Sequence, residues 1–142
     1  MDITQLPYNK FIGIKRAQSS EYILELEDSQ NYLNHLGNVH ASAQISLAEA
    51  ASGEFLIQLF TNIPDQYVPV VRRLEAKFRK PANGKIFARL KTTAEMIRES
   101  ISELHLKGRS LISIEVDIED IRKTVTMNNV IVWYVQKLHG EG

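Results

Sequence analysis

The second half of the chain alternates apolar and polar residues with a period of two. Leu74, Ala76 and Phe78 interleave with Arg73, Glu75, Lys77 and Arg79, as in a strand with one buried face. After the turn formers Lys80-Pro81-Ala82-Asn83-Gly84, Ile86, Ala88 and Leu90 interleave with Phe87, Arg89 and Lys91. Two strands around a Pro/Gly turn predict a hairpin. Ile112, Ile114, Val116 and Ile118 alternate with Ser113, Glu115 and Asp117, and a last strand is expected from about Thr124 to Lys137, with a bulge at Asn128-Asn129. Near the start, residues 2–11 suit a short helical turn. Strand-like material follows over 12–27, where Tyr22, Leu24 and Leu26 alternate with Ile23, Glu25 and Glu27, and Asp28-Ser29-Gln30-Asn31 ends it.

Between these blocks the period changes. Val39 to Phe60 is rich in Ala and Leu, free of Pro, and long enough for five to six helical turns, with Asn38 as the expected N-cap. At about 100° per residue, Ile45, Leu47, Ala48, Ala50, Ala51, Phe55, Leu56 and Phe60 spread around the whole circumference. Such a helix must be wrapped, and Ala41, Ala43, Ala50 and Ala51 let the wrapping come close. A second, shorter helix is expected over 93–106, with a Thr92-x-x-Glu95 capping box and Ile97, Ile101 and Leu104 on one face. The pattern predicts an α+β fold: strands, one long buried helix, then antiparallel strands curling around it.

No linker, repeat or low-complexity stretch divides the 142 residues, so a single domain over 1–142 is expected. Seventeen basic residues balance 17 acidic ones, which argues against sequence-independent binding to nucleic acid or to membrane surfaces. It also gives little protection against self-association. The balance is uneven along the chain: residues 72–91 hold eight of the basic residues and one acid, Glu75. The absence of Cys excludes disulfides, thiolate nucleophiles and cysteine zinc sites. No apolar run approaches the roughly 18 residues of a membrane span. MDITQLPYNK does not read as an export signal, so a cytoplasmic location is expected.

There is no phosphate-binding Gly loop, H-E-x-x-H pair or G-x-S-x-G elbow. The dense polar cluster is Asn34-His35-Leu36-Gly37-Asn38-Val39-His40-Ala41-Ser42, where the long helix begins. Glu49 follows within that helix, on the side of Ser42, Ile45, Leu56 and Phe60. A carboxylate among apolar neighbours has a raised pKa, a condition enriched at active sites, although it is equally compatible with a solvated gap or a tie to a nearby loop. Free N–H groups at the helix start, from about Ala41 and Ser42, can polarise an acyl carbonyl while the carboxylate attacks it or activates water. Asn34 can orient that water; alternatively Asn34 and His35 form a turn bonded to its own backbone. For His40, a satisfied, partly buried imidazole is the simpler reading.

Asn34–Gly53, N-H-L-G-N-V-H-A-S-A-Q-I-S-L-A-E-A-A-S-G, resembles the signature of hotdog-fold thioesterases of the PaaI-like type. That signature runs Asn, Gly, His-Gly-Gly, an apolar stretch, then an acid followed by small residues and Gly. Glu49 lies nine positions after His40 and fifteen after Asn34, as in the family. Arg72–Lys91 is similar to the family's strand–Pro–Gly–strand segment, and the likeness extends from about Tyr8 to Gln136. It implies a hotdog fold, a curved antiparallel sheet around one central helix, forming a homodimer or homotetramer with the site shared between subunits. It implies hydrolysis of acyl-CoA or acyl-carrier thioesters without metal or cofactor. Glu49 would be base or nucleophile, Asn34 a positioning residue, Ala41 the backbone donor and His40 a shaper of the helix entrance. His35, Gly37, Ser42, Arg79 and Lys80 would contact substrate.

The chain departs from the signature in four places. His-Gly-Gly is His40-Ala41-Ser42, the usual Asp is Glu49, Val71 stands where some members carry Ser or Thr, and the helix at 93–106 is an insertion. Two alternatives follow: a non-catalytic acyl-thioester binder, or a hydroxyacyl-thioester dehydratase using His35, fourteen residues before Glu49. The dehydratase pattern also calls for Phe-Pro and Pro-Gly where Leu36-Gly37 and Ala41-Ser42 stand.

Overall fold

A computed structural model describes residues 1–63 and 66–138. A 3-10 turn over Ile3–Gln5 and α1 (Pro7–Ile12) open the chain. The strands β1 (Lys15–Arg16) and β2 (Leu24–Leu26), α2 (Ala41–Phe60), β3 (Tyr67–Phe78), β4 (Ile86–Leu90), α3 (Arg98–Lys107), β5 (Arg109–Asp120) and β6 (Val125–Lys137) follow. The six strands form one antiparallel sheet in the order β1-β2-β4-β5-β6-β3. Leu47, Ala48, Ala51 and Leu56 of α2 are fully buried with Ile112, Ile114, Val116 and Ile131 of the sheet. The long apolar helix is wrapped as its composition requires, and this is the expected α+β curved sheet around a central helix.

Strand positions follow the alternation, but the pairing does not. Residues 72–91 are not a hairpin: β3 pairs with β6 at one edge, whereas β4 lies between β2 and β5. The Pro81–Gly84 segment is a crossing connection that passes the start of α2, where Ala82 is buried and its carbonyl accepts the Val39 N–H at 2.8 Å. Pro69 explains the placement of β3, because a residue without an N–H is tolerated on an edge strand and not in the middle of a sheet. The register shifts at Arg72 in β3 and at Thr126 in β6, not at Asn128-Asn129. Thr126 is the extra residue of its bulge, and its hydroxyl donates to Gln44 Oε1 of α2 at 2.8 Å.

Local chemistry differs from expectation at three further points. The 12–27 stretch contributes only two short strands. His40, not Asn38, caps α2, its Nδ1 accepting the Ser42 N–H at 3.0 Å. Thr92 caps no helix; its hydroxyl accepts the Glu115 N–H at 2.8 Å and ties the insertion to β5. The α3 helix itself forms where expected, burying Leu104 against the core.

The N-terminal segment is built to stay close to α2. Pro7 starts α1 and Gly13 ends it at φ +87°, a left-handed conformation where its N–H reaches the Asn9 and Lys10 carbonyls. A side chain at Gly13 would also meet the Tyr32 hydroxyl at 2.8 Å. Asn9 is buried and donates to the Ile3 carbonyl at 3.0 Å, and Tyr8 shares a 2.8 Å hydrogen bond with Ser46 of α2.

Candidate active site

Two cavities flank α2. The larger, about 700 Å³, runs along the face that carries Glu49, Gly53, Ile57 and Phe60. Its other walls are Ile3 and Leu6 from the N-terminal segment, Trp133 of β6, and Tyr67 and Pro69 of β3. Glu49 is half-buried there, its carboxylate makes no hydrogen bond or ion pair among the described residues, and burial pushes its pKa above the ordinary range. A carboxylate without a partner beside an apolar cavity is poised to take a proton or to attack a carbonyl.

The helix start faces the smaller cavity, about 280 Å³, lined by His40, Ser42 and Ser46 of the α2 segment with Tyr8 and Tyr32. His40 Nδ1 takes the Ser42 N–H and the His40 carbonyl the Ala43 N–H at 3.0 Å, leaving the exposed Ala41 N–H without an acceptor among the described residues. Ala41 and Glu49 are eight residues apart on one straight helix, about 12 Å of rise. One carbonyl cannot touch both within a single chain, so the pairing of these groups along one helix is not realised in the protomer.

Asn34 uses its side-chain oxygen locally, accepting the Leu36 N–H at 2.9 Å and the Asn38 N–H at 3.1 Å. It therefore shapes the loop in which Gly37 adopts φ +78°, as in the alternative reading of that turn. His35 is exposed and lines neither of these cavities. Arg79 and Lys80 are exposed at the end of β3, with both N–H groups directed at the Thr126 carbonyl and the Arg79 side chain donating to Asn128. The Asn38–Asn83 bond of 2.7 Å keeps their connection beside the start of α2. The expected basic hairpin is divided between the edge strand β3 and the interior strand β4. Lys85 pairs with Glu25 at 2.5 Å and Arg89 with Glu119 at 2.5 Å, which removes both from any phosphate-binding cluster. Among the described residues no three His, Cys, Asp or Glu side chains form a potential metal site, and no helix is long and apolar enough to cross a membrane.

The sequence reading found Glu49 but missed most of the cavity wall. Two signals were available: Gly53, a glycine in the interior of a long helix, and Trp133, the one tryptophan, in the middle of an alternating strand.

The curved antiparallel sheet around a central helix is the hotdog fold, and known structures share it. A Pseudomonas aeruginosa protein described as a probable thioesterase superposes with a TM-score of 0.77 at 23% identity, covering 96% of this chain and 91% of its own. A Staphylococcus aureus thioesterase gives 0.64 at 12% identity, covering 92% and 99%. A Bacillus halodurans protein solved with CoA gives 0.58 at 17% identity, covering 83% and 72%. The chain belongs to the family described as a domain of unknown function, DUF4442, whose model matches residues 4–135. No curated protein matches the sequence.

Proposed function

We propose that this protein hydrolyses acyl thioesters, with acyl-CoA as the favoured carrier and Glu49 as general base or nucleophile. The observation that carries the reading is the Glu49 carboxylate, unpartnered and desolvated beside a 700 Å³ apolar cavity. The similar S. aureus thioesterase lends support: its described variants replace a glutamine and a glutamate fifteen positions apart, the separation of Asn34 and Glu49 here. CoA in the B. halodurans relative supports the carrier, and exposed Arg79 and Lys80 near the start of α2 are the cations proposed for its phosphates. In the test, Glu49→Gln lowers thiol release from acyl-CoA by about a thousandfold without loss of folding. Full activity in that variant removes the assignment.

The catalytic unit in this reading is a dimer. One chain supplies Glu49 and its partner supplies the Ala41 N–H that polarises the carbonyl, with Asn34 holding the loop before His40 in shape. The 12-residue edge strand β3, with Val68, Val70 and Val71 exposed, is the proposed seam. Ala41→Pro isolates the donor, because proline at the first helical position removes the N–H while keeping the helix, and His40 already has extended geometry at ψ 140°. Ala41→Pro and Glu49→Gln are each expected to be inactive. Mixed 1:1 after dissociation, they should recover about a quarter of wild-type activity, the share of intact sites in random dimers. No recovery despite subunit exchange places both groups in one chain. Binding without hydrolysis is the second reading, favoured by the commitment of the Asn34 oxygen to its own loop.

A further inference from the structure

The geometry points to a linear aliphatic acyl chain of medium length, on the order of a dozen carbons, laid along α2 from Glu49 to Phe60, with Gly53 as the residue that sets its reach. This assignment rests on the thioesterase reading only for which end carries the thioester. Glu49, Gly53, Ile57 and Phe60 recur on one face of α2 and line a single cavity. Eleven residues of rise give about 16 Å. Carbon–carbon bonds of about 1.5 Å advance an extended chain by roughly 1.25 Å each, so on the order of a dozen carbons fill that length. Beyond Glu49 the walls are mostly apolar, with Tyr8, Asn9 and Thr61 as the polar members, and the Phe60 and Tyr67 rings, 5.2 Å apart, stand at the far end. An acetyl or single-ring acyl group would leave most of 700 Å³ empty.

Gly53 lies on the cavity wall beneath Ile3 and Trp133. A methyl group there would meet Ile3 Cδ1 at 3.4 Å and the Trp133 ring at 3.6 and 3.7 Å. Those are ordinary contact distances, so alanine fits the fold and bridges the gap between the N-terminal segment and β6. Glycine is a poor residue for a helix interior, and here it leaves a methyl-sized gap beneath Ile3 and Trp133 on the cavity wall.

The experiment compares kcat/KM for butanoyl-, dodecanoyl- and phenylacetyl-CoA in the wild type and in Gly53→Ala, alongside binding of dodecanoate and phenylacetate followed by fluorescence of Trp133, the sole tryptophan. The wild type is expected to favour the dodecanoyl ester, and Gly53→Ala to lower the dodecanoyl-to-butanoyl ratio by about tenfold or more, as pocket contacts of one methyl group do. Hydrolysis that favours the phenylacetyl ester, or a ratio unchanged in Gly53→Ala, overturns the chain-length assignment and leaves hydrolysis standing. If no ester is cleaved but dodecanoate changes Trp133 fluorescence and binds Gly53→Ala more weakly, the aliphatic groove stands and the thioesterase reading falls. No cleavage and no response to dodecanoate overturns both.

Discussion

Glu49 and Glu54 lie five residues apart on α2, and the surroundings of each give it a different task. Glu54 is only 3% exposed, and its Oε1 accepts from Arg16 at 2.6 Å and from Gln58 at 3.2 Å. Arg16 also reaches Asp2 at 3.1 Å, so the buried carboxylate fastens the N-terminal segment to the central helix. Glu49 is less buried, but among the described residues its carboxylate has no cation or donor, and burial alone raises its pKa. A buried charge with a partner serves the fold; one without a partner is a standing cost to the fold and marks a place where chemistry benefits. Sequence spacing singled out Glu49 and passed over Glu54. Nothing in the sequence pairs Arg16 with a residue 38 positions away.

The comparison can be broken from the structural side first. Arg16→Ala leaves the buried Glu54 carboxylate without its cation, with Gln58 as the remaining donor, and should destabilise the protein by about 2–3 kcal/mol, less than the full cost of an isolated buried charge because the Arg16 side chain is half exposed. Denaturant midpoints read this directly, and a change within a few tenths of a kcal/mol would show that water already satisfies Glu54. Glu54→Gln keeps the shape, weakens the link to Arg16, and should cost about 1 kcal/mol.

The same change at Glu49 should have the opposite sign. Its folded pKa is raised, so the native state holds its proton to higher pH than the unfolded chain does. The resulting stability is present below the ordinary carboxylate pKa and lost as pH rises through the folded value. Glu49→Gln should therefore melt above the wild type at pH 7, with the gap closing as pH falls below the ordinary carboxylate range. A variant less stable than the wild type at pH 7 would mean that Glu49 has a partner in the assembled protein.

The strands, the long helix and the inserted helix were legible because each carries its own periodicity. Ile112 through Ile118 alternate because one face of β5 is buried, and α2 is apolar around its circumference because the core surrounds it. Strand neighbours were not legible. A period of two says which residues share a face and is silent about which strand lies alongside, so Arg72–Lys91 read as a hairpin while β3 joined β6. Pro69 was the available clue that β3 is an edge. Caps were ambiguous for a related reason. Asn38 and Thr92 are good capping residues, but their side chains found partners in Asn83 and Glu115 that only the folded chain brings near.

By itself the sequence determined the element types, the faces they bury and the identity of Glu49 as a carboxylate on an apolar helix, since these follow from local spacing and side-chain chemistry. The tertiary structure decided which carboxylate lacks a partner, which strand is the open edge, and where the cavity runs. Those depend on contacts between distant segments: Ile3 and Trp133 closing around Gly53, Arg16 answering Glu54, and no described residue answering the Glu49 carboxylate. The 12 Å between Ala41 and Glu49 is likewise a property of the folded helix. It keeps the two groups from meeting one carbonyl within a single chain.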